Sequence, residues 1–424
     1  MRVLLITPAA PSKAHVNGGA TRMHRLYRRL LERGDEVTVA AVFTADEAGG
    51  VEALREEGFA VEPYVRPRGR GREILRALIR RPGLLRLAWR MPAKELISAV
   101  FWVDLAPLVH ALLNDRAFDV VVIESSFAAW WRADFETDLP VVLVTHEVES
   151  VQQMAKATRV GGPAGLARYV NGARIRRSEA RWTPEFDGVV VMSESERLIL
   201  EQVVGKARLP QTFVVGNGAD LSAMESVDSD PGAARVLFTG TMAYPPNAVG
   251  AQWLAREVWP SVLAARPDAV LEIVGAAPSR ATLALGDLTG ISVHADVPDM
   301  REWFSRASVC TLPMIEGGGT RLKLADAFAA RRAVVSTTNG ATGIDCSDGR
   351  EVLIADSAED FARAIVRLLD DSELRARLAG RGRTLAERLY DWDVLGDQLA
   401  GALQSVIAAQ SAAPLEVVRS AKHA

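Results

Sequence analysis

The chain has 424 residues with a net charge of −3, of which 49% are hydrophobic and 24% charged. That balance excludes disordered and fibrous classes, leaves room for two to three domains with large cores, and offers no overall positive surface for nucleic acid. Two cysteines, Cys310 and Cys346, exclude a disulfide framework and a cysteine-built metal centre, and fit a reducing, cytoplasmic compartment.

RVLLIT (Arg2–Thr7) has the apolar run of a buried strand and is too short and strand-like for a secretory leader. The loop after it ends near Gly18 and Gly19. A helix is expected over Thr21–Gly34 and a strand over Glu36–Phe43. This is a βαβ unit without a complete G-x-G-x-x-G. Gly18 and Gly19 read equally as a close approach for a diphosphate or as a simple turn. Another helix and strand follow in VEALREEGFAVEPYV.

Arg66–Val100 then carries a net charge of +8, from nine arginines and Lys94 against Glu73 and Glu95, in a protein of net charge −3. Ile74, Leu75, Leu78 and Ile79 line one side of a helix and Arg72, Arg76 and Arg80 another. Such a helix either contacts an anionic membrane surface or acceptor, or packs on its domain with solvated arginines. The apolar run LISAVFWVDLAPLV is broken by Asp104 and Pro107, so no segment is expected to span a membrane.

FDVVVIESSFAAWW (Phe118–Trp131) reads as a strand, a loop and a short helix. LPVVLVTHEVESVQQ contains another buried strand, with His146 just past its carboxyl end. Ligands of open α/β sheets gather at the carboxyl ends of strands. His146, with Glu147, Glu149 and Ser150, is therefore a site candidate, with a structural or capping histidine as the alternative. A long helix follows from Gly161, then a strand and a helix for which Ser193 is the expected cap.

QTFVVGNGADLSAM (Gln211–Met224) reads as a strand ending in a glycine–asparagine turn, and a polar linker follows, with the domain boundary close by. The second series has a strand over Val236–Thr239, a loop opening at Gly240, a helix from near Asn247 and a strand over Ala269–Ala277. A further strand, a loop with Asp296 and Asp299, a helix and a buried strand, Ala307–Met314, follow. Next comes EGGGTRLKLADAFAA: Glu316, then Gly317, Gly318 and Gly319, then Thr320 as the N-cap of a helix with Arg321 and Lys323 in its first turn. Two cations at a helix N-terminus oppose the helix dipole, and they fit an anion docked on the free N–H groups. Asp326 shares the face of Lys323, where it either accepts ribose hydroxyls or pairs with the lysine in a plain surface helix. The remainder is a strand, a glycine-rich turn and a long helical stretch, ending in a loose tail from Ser411.

Four stretches, TPAAPSKAHVNGGATRMHRLYRRLLERGDEVTV, VTHEVES, FTGTMAYPPNAVGAQWLAREVWP and GGGTRLKLADAFAARRAVVSTTNGATGI, together resemble a GT-B glycosyltransferase of family 4, in the bacterial branch that builds cell-surface and exopolysaccharide sugars. The resemblance implies an α/β fold of two doubly wound Rossmann-like domains facing a cleft, with residues 1–208 on the acceptor side and 209–391 on the nucleotide-sugar side. Residues 392–424 would form a helix crossing back to the first domain, and a tail. It implies retaining, metal-independent hexosyl transfer from a UDP- or GDP-sugar to an acceptor hydroxyl, without a cofactor. Glycan, lipid-linked and small-molecule acceptors remain open, as does a peripheral place at the inner face of the plasma membrane. By the same resemblance Gly18 and Gly19 lie beside the donor phosphates and His146 near the transferred sugar. Arg321 and Lys323 neutralise the diphosphate, and Asp326 stands in the place of the ribose-holding acid. Gly240, Asn247, Gly317, Gly318, Gly319 and Thr320 complete the donor site. The family's first acid is replaced by Gly318, with Glu316 two residues early, and the loop AYPPN lacks the Arg and Lys many relatives carry there. Glycosylation of a small secondary metabolite, an epimerase and a non-catalytic nucleotide-sugar-binding scaffold are the alternatives on this fold.

Overall fold

The computed structural model of the protein describes residues 1–11, 18–44, 49–66, 91–225, 227, 234–316 and 322–412. The chain divides into two units, Met1–Gly216 joined by the chain from Leu395 on, and Asn217–Val394.

The first unit is built on seven strands: β1 (Arg2–Thr7), β2 (Glu36–Thr44), β3 (Ala60–Arg66), β4 (Val120–Glu124), β5 (Val141–Val144), β6 (Gly188–Val191) and β7 (Gln211–Val214). They pair in the order β3-β2-β1-β4-β5-β6-β7, every pair parallel. Parallel sheets are covered on both faces, which is why β4 and β5 are apolar and buried along their whole length. The helices are α1 (Gly18–Glu32), α2 (Gly49–Glu56), α3 (Ala93–Asp115), α4 (Glu149–Val160), α5 (Gly162–Trp182) and α6 (Glu194–Val204). A 3₁₀ segment, Ser126–Asp134, follows β4. Trp102 of α3 stacks on Trp131 with centroids 4.8 Å apart, anchoring α3 and the 3₁₀ segment on one face of the sheet.

The second unit carries β8 (Arg235–Thr239), β9 (Val270–Gly275), β10 (Ile291–Ala295), β11 (Val309–Leu312), β12 (Ala333–Ser336) and β13 (Leu353–Ile354), all parallel, in the order β10-β9-β8-β11-β12-β13. Its helices are α7 (Pro245–Trp253), α8 (Trp259–Ala265), α9 (Arg280–Leu283), α10 (Arg301–Arg306), α11 (Leu322–Ala329), α12 (Ala358–Asp370) and α13 (Ser372–Leu389). Phe238, Trp259, Ile273 and Phe361 fill one side of the sheet, and Leu237, Val274, Leu324 and Phe328 the other. In both sheets the order reverses beside the first strand, at β1/β4 and at β8/β11. Such switch points are where open α/β sheets bind ligands.

The last helix, α14 (Trp392–Ala412), begins in the second unit and from Leu395 belongs to the first. A side-chain carbon on Gly188 of β6 would stand 2.6 Å from Val406 Cγ2, so the helix lies directly on the strand there. Arg29 and Arg33 both bind Asp397, at 3.0 and 2.8 Å.

Several expectations shift. The division expected at 208/209 falls at 216/217, because β7 pairs with β6 and completes the first sheet. Helix α1 starts at Gly18 rather than Thr21, so Gly18 and Gly19 belong to its first turn and not to the loop before it. Helix α4 occupies residues the sequence reading leaves unassigned. Asp104 and Pro107 break the apolar run but not the helix. Asp104 accepts the Tyr64 hydroxyl at 2.7 Å, and Pro107 lies on an exposed face. Among the described residues α3 is thus the one helix long and apolar enough to cross a membrane, although Trp102, Leu105, Val109 and Leu112 pack into the core. Of the basic Arg66–Val100 stretch, residues 67–90 lie outside the described ones.

Candidate active site

In the first unit the site candidates collect at the carboxyl ends of β4 and β5. Glu124 closes β4, and its side chain is 1% exposed. A carboxylate so deeply buried needs partners on both oxygens. His146 Nε2 lies 2.7 Å from one oxygen, and the Tyr27 hydroxyl donates to the other at 2.9 Å. An Nε2 facing a carboxylate donates its N–H to it, which fixes the orientation of the ring. Burial and the adjacent Glu124 push the Tyr27 hydroxyl well above its ordinary range, so it stays a donor. Arg22, five residues before Tyr27 on α1, is also fully buried. It donates to the carbonyls of Val215, at 2.7 Å, and Gly216, the last residues of this unit before the chain leaves it. Burial lowers its pKa, and Glu124 is the strongest opposing charge.

Beyond His146 the chain turns into α4. Glu149 is buried and held by Lys94 at 2.8 Å, while Ser150 Oγ donates to Glu179 at 2.5 Å. Burial pushes the Glu179 carboxyl up to about 7 and the neighbouring Glu95 carboxyl up to about 8. Glu147 lies 4.0 Å from Lys94.

In the second unit Gly240 follows β8, Asn247 sits buried in the first turns of α7, and Lys323 and Asp326 project from α11. Lys323 Nζ donates to Asn247 Oδ1 at 2.6 Å and lies 5.5 Å over the Phe238 ring. The Asn247 amide is fixed in turn by donating to Thr241 O at 2.8 Å. The ammonium thus rests against the β8 turn: a side-chain carbon on Gly240 would come within 2.4 Å of it and displace it. The neighbouring β9 end is equally tight, since a carbon on Gly275 would meet the Gly240 carbonyl oxygen at 1.7 Å. Burial pushes the Asp326 carboxyl up to about 7, against the pull of Lys323. Glu316 is exposed, just past β11.

The structure therefore joins Gly240, Asn247 and Lys323 in one group, with Asp326 one turn further along α11 and Glu316 outside it. His146 belongs to a second group on the first unit, and Gly18 and Gly19 open α1, which carries Arg22 and Tyr27. Gly317, Gly318, Gly319, Thr320 and Arg321 lie outside the described residues. Among the described residues, no group of three or more His, Cys, Asp or Glu side chains could hold a metal ion. Sequence reasoning missed Glu124, Tyr27 and Arg22. The signal for Glu124 was present: it ends an apolar strand, the position that singled out His146.

Among solved structures, a sucrose-phosphate synthase from Thermosynechococcus elongatus has a TM-score of 0.66 at 18% identity, covering 96% of this chain and 99% of that one. The Anabaena protein HepE, solved with UDP, has a TM-score of 0.64 at 14% identity, covering 96% and 100%. At these identities the likeness is one of fold, and that fold is GT-B, two Rossmann-like domains in one chain. The model of Glycosyltransferase Family 4 matches residues 16–223, and that of Glycosyl transferases group 1 matches residues 233–371. This protein is a GT-B glycosyltransferase of the family 4 kind. A phosphatidyl-myo-inositol mannosyltransferase of Mycolicibacterium smegmatis is 28% identical over 202 residues, 45% of this chain and 51% of that protein. A GDP-mannose-dependent monoacylated alpha-(1-6)-phosphatidylinositol monomannoside mannosyltransferase of Corynebacterium glutamicum is 28% identical over 159 residues, 34% of this chain and 42% of the relative. The matched stretches span about half the length of the first of these relatives, 51%, and 42% of the second.

Proposed function

We propose that this protein transfers a hexosyl group, with retention, from a nucleotide-diphospho-sugar to an acceptor hydroxyl in the synthesis of a cell-surface glycan or glycoconjugate. The observation that carries the reading is the Lys323 ammonium, anchored by Asn247 against the β8 turn beside Gly240, where an added side chain would displace it. It is a fixed cation at a strand switch point, backed by the N-terminal turns of α11. Departure of a nucleoside diphosphate breaks the C1–O bond and leaves negative charge on the β-phosphate oxygen. A preorganised cation stabilises that charge as it develops. In the resemblance Arg321 adds a second cation, and Asp326 accepts the ribose hydroxyls.

The sugar gains oxocarbenium character as the bond breaks. The acceptor oxygen bonds to C1 on the face the diphosphate leaves, and its proton passes to the departing β-phosphate oxygen. Charge neutralisation by side chains lets this transfer proceed without a required metal ion. His146 contacts the transferred sugar, and Glu124 acts through it as a positioning residue by fixing the ring and its tautomer. GDP-mannose, the donor of the Corynebacterium glutamicum relative, and UDP-glucose, with which HepE was solved, are the first donors to try.

The test is release of UDP or GDP from a panel of nucleotide-sugars, with and without cell-envelope extract as acceptor. We expect one donor to be consumed with stoichiometric glycosylated product that keeps the donor's anomeric configuration. Consumption of no donor would contradict the reading, and isomerisation without an acceptor would replace it with epimerase chemistry.

A further inference from the structure

A groove of about 910 Å³ opens on the first unit between the start of α3, the Ser126–Asp134 segment that follows β4, and α5. That volume is in the range of small-molecule sites. One wall is apolar and aromatic, with Met91, Trp130, Tyr169, Val170 and Trp182. Tyr169 and Val170 are 55% and 43% exposed, and Leu166, one turn earlier on α5, is 65% exposed, so the apolar surface continues out of the groove. Exposed apolar surface of this extent, joined to a concavity, marks a binding surface rather than a solvated face.

The same helix brings cations to the groove: Arg174, Arg177 and Arg181 recur at helical spacing on α5, in line with Val170. Arg181 stacks over Trp182, its guanidinium carbon 4.6 Å from the ring centroid. Arg174 and Arg177 have no ion-pair partner among the described residues. Of the groove's two acids, Asp134 accepts Trp102 Nε1 at 2.6 Å and offsets part of this charge, while burial pushes the Glu95 carboxyl up to about 8, so it is largely neutral at pH 7 and the groove stays cationic.

We propose that this groove binds a long-chain lipid phosphate, its aliphatic chain along Trp130, Tyr169, Val170 and Trp182 and its phosphate on Arg174 and Arg177. Guanidinium pairs match phosphate oxygens in charge and geometry. An alkyl chain gains by covering the aromatic wall. An acceptor carried on such a lipid would enter the site from this groove. That last step rests on the transferase reading; lipid binding itself does not.

The experiment titrates the full chain with dodecyl phosphate below its micelle concentration, with inorganic phosphate and dodecanol as separate arms, by calorimetry. Dodecyl phosphate is expected to bind at least tenfold tighter than either arm. The double variant Arg174→Gln, Arg177→Gln should lose at least tenfold for dodecyl phosphate while keeping the wild-type affinity for dodecanol. Val170→Asp should weaken both amphiphiles. Melting curves and UDP or GDP binding check that each variant is folded. Equal dodecyl phosphate affinity in wild type and double variant would overturn the proposal. So would inorganic phosphate binding as tightly as dodecyl phosphate, or capture by phosphatidylglycerol vesicles without binding of the single lipid. Lipid binding without turnover of any donor would fail the transferase reading alone. Donor turnover without lipid binding would fail the groove alone.

Discussion

Glu124 and His146 meet through one 2.7 Å contact, and Tyr27 takes the second carboxylate oxygen. Replacing Glu124 by Gln keeps the shape but presents an amide that can face the ring with either its oxygen or its nitrogen. We expect kcat to fall about tenfold or more, since small displacements of a positioned group cost that much, with the donor KM little changed. Tyr27→Phe removes one buried hydrogen bond and should cost about 1 kcal/mol in a denaturant melt. Asp326 gives a signed pH effect. Its carboxyl, ordinarily near 3.8, titrates at about 7 in the folded protein. Between those values the folded state holds more protons than the unfolded one, so stability falls as pH rises through that window. Asp326→Asn should therefore gain stability relative to wild type above pH 7, and the gain should shrink toward zero near pH 4. His146 was legible in the sequence because its position, just past an apolar strand, is informative in itself. Tyr27, the other partner of Glu124, was not, because a tyrosine in an amphipathic helix reads as core until the fold brings Glu124 to it from 97 residues away.

At the scale of elements, strands were the most legible, because β-branched apolar runs bounded by turns have few other uses. The helix edges were less so. Helix α1 reaches back to Gly18 because the helix tolerates the glycine pair despite its low propensity. Helix α4 escaped because MAKATRV has no sharp apolar stripe. It is held by packing against α5, where Gly172 lets the two helices approach: a carbon there would lie 3.0 Å from Met154 Cγ. The β8 turn, expected to serve the donor, is also a packing constraint. Gly240→Ala would drive a methyl group into the Lys323 ammonium, so we expect donor affinity to fall at least tenfold, read by calorimetry. Unfolding should be affected less, because the lysine end can move aside.

For the whole molecule, two parallel sheets were readable from two successive α/β series, but the seam between them was not. A strand's sheet is decided by its neighbours, and QTFV is equally good as the last strand of one series or the first of the next. The return of α14 to the first unit was readable only by resemblance. Its burial of Leu399, Leu403 and Val406 makes the first unit depend on a segment that follows the second in sequence. Leu403→Ala should cost about 2–5 kcal/mol, whereas Asp397→Ala, a half-exposed pair, should cost about 1 kcal/mol or less. Gly188→Val should be as damaging as Leu403→Ala, because it pushes on Val406. The molecule-wide claim is that a nucleoside diphosphate is held on the second unit by Lys323. Calorimetric titration of UDP and GDP into wild type and Lys323→Ala tests it most directly. One nucleotide is expected to bind the wild type, and the variant, with an unchanged melting curve, to bind it at least tenfold more weakly. Equal affinity in the two proteins, or binding of neither nucleotide to the wild type, would contradict it.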